Sequence, residues 1–163
     1  MDEPAAQAKP SRNLHFRQIV DKSRFAIGRG SLQASQLMEG LRILSPADAF
    51  TLFDGLAEQD REHLWSACID RDGTVLAMRR DGPGEAFSTA LPVSSLLGEA
   101  LACRAWGLIV AHNHPDGSAN PSAQDIRATR RLAEGAQALG LRLIDHVVVA
   151  DGAWTSFRLM GLL

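Results

Sequence analysis

His112, His114 and Asp125 carry side chains that ligate divalent metals, and their spacing lets them meet at one point. The two histidines stand where the apolar run Trp106 to Ala111 ends. In an extended chain, residues two apart project to the same side, so both imidazoles can aim together. Pro115 and Gly117 then stop the strand and turn the chain. Asp125 falls one turn into the helix expected to follow, where its carboxylate can close on the same point. Two nitrogens and one oxygen leave the fourth tetrahedral position free for water, the arrangement of a catalytic rather than a structural zinc.

Each piece has a plainer alternative. A histidine pair at a strand end is often loop chemistry. Ser122-x-x-Asp125 also fits a helix capping box, and on that pair alone capping is preferred. A metal-bound Asp125 is expected to have less freedom to fold back onto the cap. What favours a metal is the whole set converging after one buried strand. Spacing dismisses three lookalikes. The string His112-Asn113-His114 spells HNH, but the nuclease of that name spreads those residues over a ββα unit. His112-x-His114-x-Asp116 has the start of a metallo-β-lactamase pattern, yet Gly117 occupies the next histidine's place. A nucleobase deaminase needs a Pro-Cys-x-x-Cys ligand pair, which the chain does not contain.

The elements that must position these residues follow from periodicity. Residues 1 to about 12 read as a disordered tail. Leu32, Leu37, Met38 and Leu41 recur at roughly helical spacing and predict a helix from about Ser31 to Arg42. Ser45-Pro46 supplies a cap and first-turn proline for a second helix through Leu56. Leu64 to Ile69, a turn at Arg71-Asp72-Gly73, and Thr74 to Met78 predict a hairpin, with a further strand over Ala86 to Leu91. Ser94 to Cys103 reads as a helix with serines available as cap. Trp106 to Ala111 suits a central strand covered on both faces. Ser122 to Leu139 predicts a long amphipathic helix with Ile126, Thr129, Leu132 and Ala133 on its apolar face. Leu141 to Ala150 and Ala153 to Phe157 form a closing hairpin about Asp151-Gly152. The order implies an α/β or α+β fold, helices packing on a mainly antiparallel sheet.

Composition narrows the class. At 163 residues, 45% hydrophobic and 22% charged, the chain suits one globular domain with short extensions. A net charge of -2 gives no overall basic bias towards nucleic acid or membrane. Cys68 and Cys103 have no metal spacing around them; one disulfide is arithmetically open, but a reduced pair in the core is the expectation. No signal-like or membrane-spanning apolar run is present, so a cytoplasmic protein is expected.

His112-x-His114, seven residues, Ser122, two residues, Asp125 resembles the full JAMM (MPN+) metalloprotease signature. The stretch HNHPDGSANPSAQDIRATRRLAEGAQALGLRLIDHVVVADG narrows the resemblance to the bacterial RadC-type branch, from about Ile43 to the C-terminus. Residues 1–43 then read as a tail and short helical extension, and residues 44–163 as the zinc hydrolase domain. No helix-hairpin-helix DNA-binding region is recognisable in residues 1–43. The resemblance implies a cytidine-deaminase-like curved mixed sheet flanked by helices, with zinc at a strand-to-helix junction. It also implies a glutamate on an early strand that activates zinc-bound water. Glu62 stands where this branch carries it; the plainer reading is a solvated charge, and Glu99, inside an apolar helix, is the rival. Many JAMM proteases carry Ser or Thr between the histidines, so Asn113 bars a simple transfer of protease activity.

The mechanism this implies uses Glu62 to take a proton from water and hand it to a leaving amine. Zinc and the Ser122 hydroxyl would stabilise the oxyanion; Ser122 as nucleophile lacks a spare histidine base. His146 is expected to be a buried structural histidine, and His63 to face solvent or a strand neighbour; His15 carries no signal. Three functions are ranked. A metallo-(iso)peptidase comes first, acting on a protein or peptide conjugate that includes, as one option, a ubiquitin-like modifier. A RadC-type DNA-repair-associated protein or metal-dependent nuclease comes second; Arg127, Arg130 and Arg131 suit it, but equally suit a solvated helix face. A non-catalytic interaction module comes third, and the intact ligand set argues against it.

Overall fold

Strand β4 (Gly107–Asn113), buried at every position, is the axis of the fold. The computed structural model describes residues 40–82 and 91–163, with the backbone of Gln7–Ala8. The other strands are β1 (Gln7–Ala8), β2 (Leu64–Ile69), β3 (Val75–Asp81), β5 (Arg142–Ala150) and β6 (Ala153–Ser156), and the sheet order is β1-β6-β5-β4-β2-β3. Among the described residues only β4 and β5 pair in parallel; every other neighbouring pair is antiparallel. The fold is therefore mixed α/β, a mainly antiparallel sheet flanked by helices.

Helices cover both faces. Helix α1 (Pro46–Phe53) begins with a capping box in which Ser45 Oγ accepts from the Asp48 amide and Asp48 Oδ2 accepts from the Ser45 amide. It runs on as a 3-10 segment, Asp54–Glu58. Its Phe50, Leu52 and Phe53 pack with Trp65, Ala67, Ile109, Ala111, Val147 and Val149 on one face of the sheet. Helices α2 (Val93–Ala102) and α3 (Ala123–Ala138) cover the other, where Leu96, Leu97, Leu132 and Ala136 meet Leu64, Leu108 and Val110. The alternation of Leu108 and Val110 against Ile109 and Ala111 is the two-residue period of a strand buried on both faces.

Several expectations need correction. The predicted helix from Ser31 does not extend to Arg42. Leu41, Arg42 and Ile43 lie extended along the β2–β3 turn, with Ile43 donating to the Gly73 carbonyl at 2.8 Å and Val75 to the Leu41 carbonyl at 2.9 Å. This arm depends on Gly73, whose φ of +82° is left-handed and where a Cβ would stand 2.4 Å from the Ile43 carbonyl oxygen. The serines do not cap α2. Pro92 holds the N-cap position without a side-chain bond, and Ser95 Oγ instead meets the Arg79 guanidinium from β3. The N-terminal segment is not wholly a tail, because Gln7–Ala8 adds to the open edge of β6. The remainder of the first expected helix, residues 31–39, and the expected strand at 86–91 short of Leu91 lie outside the described residues. No helix among the described residues is long and apolar enough to cross a membrane.

Candidate metal centre

The C-terminal end of β4 sets the first histidine. His112 pairs across the sheet with Leu64 on β2 and Val148 on β5, which fixes its backbone between two strands. The His114 amide still donates to the Val149 carbonyl at 3.0 Å, so the extended geometry carries one residue past the strand. Gly117, at φ +85°, donates to the His114 carbonyl and turns the chain back. That turn brings the Ser118 carbonyl within 2.8 Å of His114 Nδ1.

Helix α3 supplies the carboxylate. Ser122 is its N-cap, accepting from the Asp125 amide at 3.1 Å, while Asp125 Oδ2 accepts from the Ser122 amide at 2.7 Å. The expected conflict between capping and ligation does not arise. The cap aims the carboxylate at the histidines: Oδ1 lies 3.5 Å from His112 Nε2 and Oδ2 lies 3.4 Å from His114 Nε2. The two Nε2 atoms are 3.0 Å apart. Ligands about 2.05 Å from a tetrahedral zinc stand about 3.3 Å from one another, so the three spacings match a cage around one small ion. Among the described residues, His112, His114 and Asp125 are the group that could hold a metal.

Hydrogen bonds behind the ligands set their tautomers. The Thr129 hydroxyl lies 2.6 Å from the Asp125 carbonyl, to which it must donate, and 2.6 Å from His146 Nδ1. Its one proton is spent on the carbonyl, so it accepts from His146 Nδ1–H. His146 Nε2 is then an acceptor, 2.8 Å from His112 Nδ1, which must donate to it. His112 is left with an unprotonated Nε2 facing Asp125. His114 reaches the same state because its Nδ1 donates to the Ser118 carbonyl. Both imidazoles thus present lone pairs inward, the state a metal needs.

The electrostatics agree. Burial first, then the neighbouring His112, pushes the His146 proton affinity well down, and the ring, wholly enclosed and stacked on Phe157, is neutral. Burial alone would raise the Asp125 carboxyl, but the close approach of the His112 and His114 imidazoles and the bond from Ser122 hold it well below the usual carboxylate range. His114 is raised, chiefly by its contact with Asp125, against the lowering effect of burial. A positive charge is therefore favoured between these groups, as a bound metal would supply.

The other singled-out residues fall at different distances. Glu62, half-buried ahead of β2, stands outside the three-ligand cluster, though its charge contributes to raising His114. Glu99 is drawn instead to Arg79, 3.8 Å away. His63 is held by its backbone amide, which donates to Asn113 Oδ1 at 2.8 Å. Arg127, Arg130 and Arg131 are exposed on α3. Cys68 is buried and reduced, its thiol pushed up by burial and by nearby Cys103. Sequence reasoning missed the role of Thr129, whose placement among core residues at helical spacing hid a polar contact, and of Asn113.

The family described as RadC-like JAB domain matches residues 43–162. A UPF0758 protein of Desulforudis audaxviator is 37% identical over 63% of this chain and 45% of its own length. One from Desulfitobacterium hafniense is 32% identical over 87% of this chain and 63% of its own, and one from Porphyromonas gingivalis 35% identical over 69% and 50%. The chain therefore spans between about half and two thirds of the relatives it matches. With a family match running from Ile43 nearly to the C-terminus, and with the two histidines and the aspartate of that stretch meeting at one point, the chain belongs to the RadC-like JAB domain family.

Proposed function

We propose that this protein is a zinc-dependent hydrolase, a metallo-(iso)peptidase that cleaves an amide bond in a protein or peptide conjugate. The observation that carries this reading is the cage of His112 Nε2, His114 Nε2 and Asp125, at spacings of 3.0 to 3.5 Å with both imidazole lone pairs turned inward. Two nitrogens and a carboxylate suit zinc and leave a position open for chemistry. Bound zinc supplies a water acidic enough to ionise near neutral pH and a Lewis acid for the substrate carbonyl.

The protein's own groups supply the proton handling. Glu62, outside the ligand cluster, is the general base that takes a proton from the attacking water and returns it to the leaving amine. Ser122 Oγ uses its acceptor side on the Asp125 amide, which leaves its own proton to donate to the oxyanion. A ubiquitin-like modifier joined through an isopeptide bond is one substrate class this chemistry serves.

The test is a panel of isopeptide-linked conjugates beside single- and double-stranded DNA. Glu62→Gln should keep zinc and fold but lose hydrolysis, since the amide cannot accept the proton. Ser122→Ala should slow turnover by about 10²-fold with little loss of zinc, and cost about 1 kcal/mol of stability through the lost cap. Zinc-dependent DNA cleavage without amide hydrolysis, abolished by Glu62→Gln, would replace the peptidase with a nuclease.

A further inference from the structure

We propose that Asn113 is a positioning residue that fixes the direction of Glu62; this rests on the reading of Glu62 as the general base. The strand period puts Asn113 on the opposite face of β4 from its two histidine neighbours. Ile109 and Ala111 belong to the core beneath α1, whereas Leu108 and Val110 belong to the core beneath α2 and α3. Asn113 continues the first series and His112 the second. The amide therefore points towards the segment joining the 3-10 turn to β2, where it is 2% exposed.

Its three hydrogen bonds all go to that segment. Oδ1 accepts from the His63 amide at 2.8 Å, and Nδ2 donates to the Arg61 carbonyl at 2.9 Å and the Gln59 carbonyl at 3.2 Å. The Arg61 carbonyl belongs to the peptide unit before Glu62, and the His63 amide to the unit after it. Each unit is a rigid plane, so anchoring both fixes the two backbone torsions of Glu62 and with them its Cα–Cβ direction. Glu62 lies two residues before Leu64, which pairs with His112, and the same alternation carries it to the face of the metal ligands. One strand end thus holds the metal point with its residues on one face and orients the base with the residue between them.

The residue type fits the task. An asparagine side chain offers two donors and an acceptor at short reach. A serine has one proton and a shorter arm, and an aspartate has no donor for either carbonyl. A purely structural role would need the same bonds but would make no demand on where Glu62 points.

Cobalt-loaded protein with ¹³C-labelled glutamate separates the two. Pseudocontact shifts depend on distance and direction from the metal, so they report the Glu62 side chain without any substrate. In the unmodified protein the Glu62 side-chain carbons should show large paramagnetic shifts. Asn113→Ser should lose most of that shift, while metal content and the shifts of β4 and β5 amides stay unchanged. Large Glu62 shifts in both proteins would overturn the positioning role and leave Glu62 as the base. Small shifts in the unmodified protein would overturn both, because Glu62 would then be remote from the metal. Should Asn113→Ser fail to fold, the unmodified protein still decides: the Glu62 amide should have a rigid order parameter of about 0.85, and a mobile value contradicts the proposal.

Discussion

A histidine ligand is only as good as the atom that holds its other nitrogen. Here the Asp125 carbonyl, Thr129 hydroxyl, His146 and His112 form a chain in which each proton has one place to go. The chain starts at one ligand residue and ends at another, so the helix that brings the carboxylate also sets the tautomer of the strand histidine. Thr129→Val keeps the shape of the side chain and removes the hydroxyl. His146 Nδ1 then loses its acceptor, and His112 Nδ1–H loses the reason to point where it does. Outer partners of this kind are worth about 10- to 100-fold in metal affinity. Thr129→Val should therefore weaken zinc binding within that range in a competitive chelator titration, with near-normal secondary structure by circular dichroism. Unaltered affinity would show that the tautomer is set by other means. The convergence of His112, His114 and Asp125 was legible in the sequence because two-residue strand spacing and a helix N-terminus are local signals. His146 and Thr129 were legible only as buried positions; their partners lie 34 and 17 residues away along the chain, and periodicity carries no information on such contacts.

At the scale of elements, the β2–β3 hairpin that flanks β4 is closed at its turn, the end of β2 away from His112. The arm at Leu41 to Ile43 closes the β2–β3 hairpin from outside, and Gly73 makes room for it. Gly73→Ala places a Cβ against the Ile43 carbonyl in a left-handed backbone, and should destabilise the protein by at least about 1–2 kcal/mol. Gly98, exposed in α2, is the contrasting case: a Cβ there meets nothing within 4 Å. Gly98→Ala should stabilise by about 0.5–1 kcal/mol. Denaturant unfolding of the two variants checks both signs. Strand and helix positions were largely readable, since β4 is apolar up to Ala111 and α3 is amphipathic, although its buried stripe is Ala128, Thr129, Leu132 and Ala136, with the expected Ile126 and Ala133 only half-buried. The arm was misread because Leu37, Met38 and Leu41 share helical spacing, while the turn at Gly40 and the pairing with Val75 are tertiary facts. The cap of α2 was misread for a related reason. Serines at a helix start suggest capping, but Ser95 is recruited by an arginine from β3.

For the molecule as a whole, the metal centre couples folding to pH. In the metal-free protein His114 is raised above its unfolded 6.5 and Asp125 is depressed below its unfolded 3.8. The His114 contribution is complete below 6.5 and fades as pH rises through the raised value. The Asp125 contribution is complete above 3.8 and fades as pH falls through the depressed one. Both are therefore full between 3.8 and 6.5. In chelator, the melting-temperature gap between the unmodified protein and Asp125→Asn should be larger at pH 5 than at pH 8.5. Zinc must displace the His114 proton, so the rise in melting temperature on adding zinc should run the other way and grow with pH. A zinc effect independent of pH over that interval would contradict proton displacement at His114.

The claim on which everything else depends is that one metal ion sits among His112, His114 and Asp125. Metal analysis of protein purified without chelator or affinity-column metal tests it directly. Close to one zinc per chain is expected, and none in the folded His112→Ala, His114→Ala double variant. Undiminished zinc in that variant, with its fold confirmed by circular dichroism, would place the metal elsewhere and contradict a site at these three residues.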